Sequence, residues 1–310
     1  MLLEKKVELL NKGTDKNKYM KEMFEIHKYL FEYPALLKNS SVKKIEITPE
    51  QVIFTIFNAD NNILICFDKR DTQGLPLALL NYPTYEVDEG NMILKLVKPK
   101  DVVFDIGASI GWYTLNILLK HKGTSVYSFE PIKPSYEYLV KNLLLNNQNP
   151  DNAYNFGLAD ENKMVKFYFD IDCATASSMA NLREVENTEI VECQVKRMDD
   201  FVSSIAPLEK LDFIKCDVEG AELFVFKGGI ETIKKYKPII FSEMLRKWSK
   251  KFGYHPNDII SFLGGIGYEC YIINKDKIEK FGHVDENTIQ TNYLFFHQEK
   301  HRDAIKNLIA

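Results

Sequence analysis

The sequence has few cysteines, no long apolar run and no excess of basic charge. Its five cysteines, Cys66, Cys173, Cys193, Cys216 and Cys270, are odd in number and scattered. None forms a C-x-x-C pair, which argues against a zinc knuckle or redox dithiol and reads as reduced thiols of a cytosolic protein. No apolar stretch approaches the length that crosses a bilayer. The opening MLLEKKVELLNKG carries acids and lacks the sustained apolar core of a secretion signal. These absences lead us to expect a cytoplasmic protein without a membrane span. A net charge of −4 and a pI near 6.0 exclude the basic excess of a general nucleic-acid binder, so no nucleic-acid partner is expected. Internal repeats, low-complexity linkers and a G-x-G-x-x-G dinucleotide fingerprint are also absent.

What the chain does have is apolar mass. Over its 310 residues, 45% are hydrophobic and 12% aromatic, enough for one large α/β domain with an accessory segment. The informative stretch is 102–111, VVFDIGASIG. An apolar strand runs into Asp105, then a turn with Gly107 and Gly111, then a helix-like run from Trp112. Glycines let the backbone approach a ligand closely at the carboxyl edge of an open sheet. Glu130 ends the next apolar strand, nineteen residues after Gly111. A carboxylate there can accept bonds from two ribose hydroxyls, which points to a nucleoside-type cofactor.

Residues 1–90 read as an accessory α+β region. A helix over 19–31, closed by Pro34, carries a stripe of Met20, Met23, Phe24, His27, Leu30 and Phe31, the pattern of a core face or a homodimer face. Strands over 44–47, 51–57 and 62–67 predict a small antiparallel meander, followed by a charged loop over 68–76 and a helix over 85–96. Residues 91–310 form the second unit. From Asp101, strands and helices alternate, with an insert at about 161–197 that carries two antiparallel-type strands and a loop over 170–187. A single helix is expected over 221–236. The pattern predicts a doubly wound, seven-stranded α/β sheet.

At this point the chain resembles the FkbM-type methyltransferases, a branch of the class I S-adenosylmethionine enzymes. The resemblance covers roughly residues 91–308. It is carried by VVFDIGASIGWYTL, the SFEP turn ending at Pro131, the turn over 156–160, RMDDFV at 197–202 and, above all, DFIKCDVEGAELFVFKGG at 212–229. One position departs from the family's pattern: asparagine is usual where Ser109 stands, and serine still offers a hydroxyl. The resemblance implies a Rossmann-like sheet whose last strand is antiparallel. It also implies methyl transfer from S-adenosylmethionine to an acceptor oxygen on a sugar, nucleotide-activated sugar or other small molecule.

Site residues follow from that frame. Asp105 is placed to pair with the methionine ammonium or to brace the glycine loop. Gly107, Ala108, Ser109 and Gly111 give backbone approach, and Tyr113 and Thr114 either reach the carboxylate end or simply face the helix. Glu130 is the ribose ligand, with Pro131, Ile132 and Leu158 flanking adenine. Asp160 either meets the adenine amino group or forms a turn. In the run 217–222, Asp217 faces the crevice. Glu219 is either catalytic or placed by the helix dipole, and Glu222 is read as helix surface or an ion-pair partner. Asp217 and Glu243, on neighbouring strand ends, are candidates for the base or for orienting the acceptor; His255 and His283 are outside candidates. No metal is required, although oxygen ligands at Asp217 and Glu243 would suit Mg²⁺. The acceptor is expected to meet the loop 173–178, including Ser178. The basic-aromatic run with Arg246, Trp248 and Lys250 is read as either a solvated helix face or a phosphate subsite.

Overall fold

Runs rich in β-branched and aromatic residues, broken by turn formers, build the first sheet. The computed structural model describes residues 2–12, 15–82, 87–170, 172–173, 177–181, 188–205 and 207–309. In it β1 (Val42–Ile47), β2 (Val52–Asn58) and β3 (Asn61–Ile65) form the antiparallel meander expected from the sequence. Ala59 and Asp60 turn the chain at φ of 45° and 68°, the double left-handed turn that suits a tight hairpin.

The outer edge of β3 is occupied by side chains. Asn142, on the helix Lys133–Leu145, accepts the Cys66 N–H at 2.8 Å and donates to the Cys66 and Ile110 carbonyls at 3.0 and 2.9 Å. One turn on, Asn146 accepts the Leu64 N–H at 2.9 Å and donates to the Leu64 carbonyl at 2.7 Å. Two amides thus replace a neighbouring strand and satisfy backbone groups that would otherwise lack partners. Ile56, Ile63, Ile65 and Leu75 pack in one cluster with Ala108, Ile110, Leu115 and Leu139. The meander therefore shares a core with the helices that follow the glycine turn.

The helix ahead of the meander departs from expectation. It spans Lys16–His27, passes into a 3-10 turn Lys28–Phe31, and buries no residue; Met20 and Phe24 are 57% and 56% exposed. Its stripe is not core. Pro34 sits in the first turn of the next helix, Tyr33–Lys38, where a missing N–H costs nothing. The helix expected over 85–96 spans Val87–Leu96; Pro83, Tyr85 and Glu86 lie outside the described residues.

The remaining strands are β4 (Val102–Ile106), β5 (Ser125–Phe129), β6 (Ala153–Tyr154), β7 (Gly157–Ala159), β8 (Lys163–Asp170), β9 (Thr188–Arg197), β10 (Phe213–Cys216), β11 (Ile239–Glu243), β12 (Tyr268–Asn274), β13 (Lys277–Phe281) and β14 (Asn292–His297). The large sheet runs β13-β12-β14-β11-β10-β4-β5-β6. Strands β6, β5, β4, β10 and β11 are parallel, and β14 is antiparallel to both neighbours, as expected of the last strand. Eight strands stand where seven were expected, because β13 folds back on β12. Alternation along β4 shows that both faces are covered: Phe104 and Ile106 enter one cluster and Val103 another. Chain order reverses between β4 and β10, and a crevice is expected at such a switch point.

Two corrections bear on the site. The segment 157–160 is not a free turn; β7 pairs in parallel with β9, and β8 completes a separate three-stranded sheet. The helix expected over 221–236 is two, Glu222–Gly228 and Ile230–Tyr236. The break falls where Gly228 passes so close to β7 that a Cβ would lie 1.9 Å from the Ala159 carbonyl. All five cysteines are buried and unbridged, and among the described residues no helix is long and apolar enough to cross a membrane.

Candidate active site

The crevice opens where the turn after β4 meets the turn after β10. Gly107 has φ 77°, and a Cβ there would lie 1.8 Å from the Asp217 carbonyl oxygen, so only glycine lets these turns touch. The Gly107 and Ala108 N–H groups both donate to the Phe129 carbonyl at 3.0 Å. Gly111, with φ 93°, packs on Leu139 and braces the helix Trp112–Lys120 without lining the crevice.

Glu130 joins two loops. One carboxylate oxygen accepts the Ser109 N–H at 2.9 Å and the other accepts the Ile132 N–H at 2.8 Å. Burial pushes its carboxyl up to about 7, against the pull of these two N–H groups. Asp105 is fully buried behind the crevice wall. Thr114 donates to it at 2.6 Å and meets Ser128 at 2.7 Å. The placement of both residues is thus corrected: Thr114 faces Asp105 rather than the crevice, and Asp105 faces Lys215 and lines no part of the crevice surface.

Lys215 is the residue that the sequence reading missed. It lies in β10 opposite Asp105, with its side chain only 4% exposed. Its ammonium donates to the Gly107 carbonyl at 2.8 Å, stands 3.3 Å from Asp217 Oδ2 and 3.6 Å from Asp105 Oδ1, and lies 5.4 Å from the Tyr113 ring centre. The available signal was a cation interrupting the apolar strand before Asp217.

The acidic segment divides by environment. Asp217, its side chain 31% exposed, sits at the rim. Glu219 takes φ 54° in the turn before the helix that begins at Glu222, so the helix dipole does not explain it. Burial first, and Asp217 second, hold its carboxyl well above the usual range. The Ser178 hydroxyl donates to the Glu219 carbonyl at 2.8 Å; Ser178 is buried and supports this turn rather than facing an acceptor. Glu222 is not helix surface. It is buried, accepts the Gly220 N–H at 3.0 Å and the Tyr254 hydroxyl at 3.1 Å, and burial raises it to about 7. Glu243 ends β11, and Asp217, Glu219 and Glu243 each offer an oxygen within 4.8 Å of the others.

The crevice wall collects Gly107, Ala108, Ser109 and Tyr113, then Glu130, Pro131 and Ile132, then Leu158, and finally Asp217, Glu219 and Glu243. The rest of the lining comes from elsewhere in the chain: Phe167 and Val195 from the insert sheet, Ser177 from the expected acceptor loop, Met179 just after it, and Asp71 and Leu75 from the N-terminal region. Thr72 ties these pieces together, its N–H and hydroxyl donating to the Asp172 carbonyl at 3.1 and 3.0 Å. Of the expected acceptor loop, Ala174, Thr175 and Ala176 lie outside the described residues.

Several expected groups stand elsewhere. Asp160 follows β7 beside Gly228 and lines no part of the crevice. Arg246 donates to the Glu286 and Thr288 carbonyls at 3.0 and 3.4 Å. Trp248 packs against Gly220 under the Lys247 ammonium, 4.0 Å from its ring, and Lys250 is exposed beyond it. The phosphate subsite is therefore not assembled. His255 caps the helix Pro256–Gly264, and His283 approaches Asn257; neither reaches the crevice.

A nucleoside with an amino-acid tail suits this lining. Ile132, Leu158, Phe167 and Val195 form an apolar slot beside Glu130. The Ser109 hydroxyl lies on the wall as a buried polar atom without a hydrogen-bond partner, the condition a ligand would relieve. Sheet order and crevice together define a Rossmann-like fold of the class I methyltransferase type. More particularly, the chain belongs to the methyltransferase FkbM domain family, whose model matches residues 105–270, that is 166 of 310.

Among relatives, Methyltransferase 1 of Beauveria bassiana is 26% identical over 142 residues, covering 41% of this chain and 57% of that one. The 2-O-methyltransferase NoeI of Sinorhizobium fredii is 25% identical over 175 residues, covering 52% and 70%. A crystal structure of methyltransferase FkbM from Methylobacillus flagellatus aligns with 64% of this chain and 44% of that chain, at 20% identity and a TM-score of 0.42. The chain spans 57% and 59% of the length of the first two curated relatives, the second being methyltransferase sdnD of Sordaria araneosa.

Proposed function

We propose that the protein transfers a methyl group from S-adenosylmethionine to a hydroxyl oxygen of a sugar-type acceptor. The observation that carries this reading is the meeting of a nucleoside slot at Glu130 with three convergent carboxylates, Asp217, Glu219 and Glu243, at the strand ends. When bound, the cofactor supplies an electrophilic methyl group on a sulfonium. Glu130 accepts from the ribose hydroxyls, while Ile132, Leu158, Phe167 and Val195 pack on the adenine. Asp217 and Glu243 orient the acceptor hydroxyl, and one of the carboxylates takes its proton as the oxygen attacks. Burial and the neighbouring Asp217 hold the Glu219 carboxyl well above the usual carboxylate range, which favours its holding a proton. Holding the reacting atoms in line supplies a large share of the rate. The similarity to NoeI, a 2-O-methyltransferase, supports an oxygen acceptor.

Calorimetry with S-adenosylmethionine, S-adenosylhomocysteine and NAD tests the cofactor. Both sulfur compounds should bind and NAD should not; NAD binding in their place would reject the reading. Radiolabelled S-adenosylmethionine with panels of cell-envelope sugars and nucleotide sugars then tests the acceptor. Label appearing only on amine or phosphate groups would replace the hydroxyl assignment.

A further inference from the structure

Among the described residues that line the crevice, Lys215 has the single cationic side chain, set against Asp71, Glu130, Asp217, Glu219 and Glu243. It is no surface ion pair: the ammonium is buried and held by the Gly107 carbonyl, Asp217 and Asp105. A buried ammonium is costly unless it is closely paired; here it balances the fully buried Asp105 and also reaches Asp217 at the rim. Its neighbours on either side, Ile214 and Cys216, are ordinary buried apolar residues. The cation lies where the turns after β4 and β10 converge, between the nucleoside slot at Glu130 and the carboxylates Asp217, Glu219 and Glu243.

We propose that Lys215 sets the charge that the crevice presents to the cofactor's sulfur, and so governs discrimination between the sulfonium substrate and the neutral thioether product. This rests on the methyltransferase reading. Asp105, Lys215 and Asp217 together carry one negative charge; without the lysine they carry two. A lining of carboxylates alone would favour the sulfonium over the thioether and slow the exchange of product for substrate. Removing one unit charge from a partly dry site changes such a preference by about tenfold or more. Lys215 touches no reacting atom in this scheme and acts as a positioning residue through charge.

The test is calorimetry on the full chain at pH 8 with S-adenosylmethionine and S-adenosylhomocysteine. Lys215→Met should raise the ratio of the S-adenosylhomocysteine Kd to the S-adenosylmethionine Kd about tenfold, and Asp217→Asn should lower it about tenfold. Lys215→Arg should leave the ratio near the wild-type value. A purely structural role would weaken both ligands alike, so ratios within twofold of wild type in both Lys215→Met and Asp217→Asn overturn the proposal. If Lys215→Met does not fold, Asp217→Asn, whose side chain is partly exposed at the rim, decides alone. Failure of the wild-type protein to bind either ligand would instead reject the methyltransferase reading.

Discussion

Along one wall of the crevice, backbone geometry fixes each group. Gly107 presses against the Asp217 carbonyl, two N–H groups share the Phe129 carbonyl, and Glu130 clamps two loops within about thirty residues of sequence. The facing wall is assembled from Asp71, Leu75, Phe167, Met179 and Val195, drawn from two separate sheets and their loops and joined through Thr72 and Asp172. The first wall is dense with hydrogen bonds. The second rests more on packing, with an exposed clasp at Thr72 and a buried one from Ser178 to the Glu219 carbonyl, a construction that tolerates exchange of side chains. We read the first, together with Phe167 and Val195 of the adenine slot, as the cofactor wall, and Asp71, Leu75 and Met179 as the part that adapts to an acceptor.

The strongest way to break this contrast is Gly107→Ala. Its φ of 77° and a Cβ 1.8 Å from a backbone oxygen leave no room, so a loss above about 3 kcal/mol in stability is expected, together with loss of nucleoside binding. Thermal melting and calorimetry check this.

Glu130→Gln comes next. An amide cannot accept from both the Ser109 and Ile132 N–H groups, so cofactor affinity should fall by about 2 kcal/mol. The wild-type affinity should also rise with pH through about 7, as the carboxyl ionises, and the variant should lack that slope. Linkage gives the opposite sign for stability. The carboxyl titrates at about 7 in the folded chain, against 4.5 for an unperturbed glutamate. Its contribution to stability is therefore fully present below about 4.5 and is lost as pH rises through 7. Denaturant titrations at pH 5 and pH 8 measure it.

Thr72→Val cuts one of the two bonds to Asp172 and should cost under about 1 kcal/mol, raising acceptor KM while leaving cofactor Kd within twofold. Smallest of all is Arg246→Ala with Lys250→Ala. Neither side chain lines the crevice, so acceptor and cofactor constants should both stay within twofold of wild type. A large rise in acceptor KM would restore the phosphate subsite.

Legibility in the sequence follows the same division. The cofactor wall could be read because its parts are short-range: a glycine turn, an acid at the end of the next strand, an acidic run after β10. Its sheet could be read from alternating apolar strands and helices. Glu222 was misjudged because carboxylate spacing does not tell which acid folds inward to cap its own turn. Of the two readings of Asp160, the structure leaves the turn, because β7 pairs with β9 in a separate sheet, a register set by tertiary contact. Asp71 and Leu75 carry no local mark; only packing of Leu75 with Ala108 and Ile110 brings them to the crevice. Lys215 was visible as an anomaly, a charge within an apolar strand, and passed unread because two of its partners, Asp105 and Gly107, lie on β4 and the turn after it.

The amides of Asn142 and Asn146 along β3 have a consequence for how the chain behaves in company. A bare strand edge is a template for another chain, and most proteins blunt it with charge, proline or a bulge. Here the blunting is done by a helix from the cofactor-binding unit, through bonds to Leu64 and Cys66. Until that helix is made and docked, the hairpin of β2 and β3 is sticky along one side. Protection from aggregation is therefore coupled to completion of the nucleoside slot, and a nascent or partly unfolded chain would lose both together.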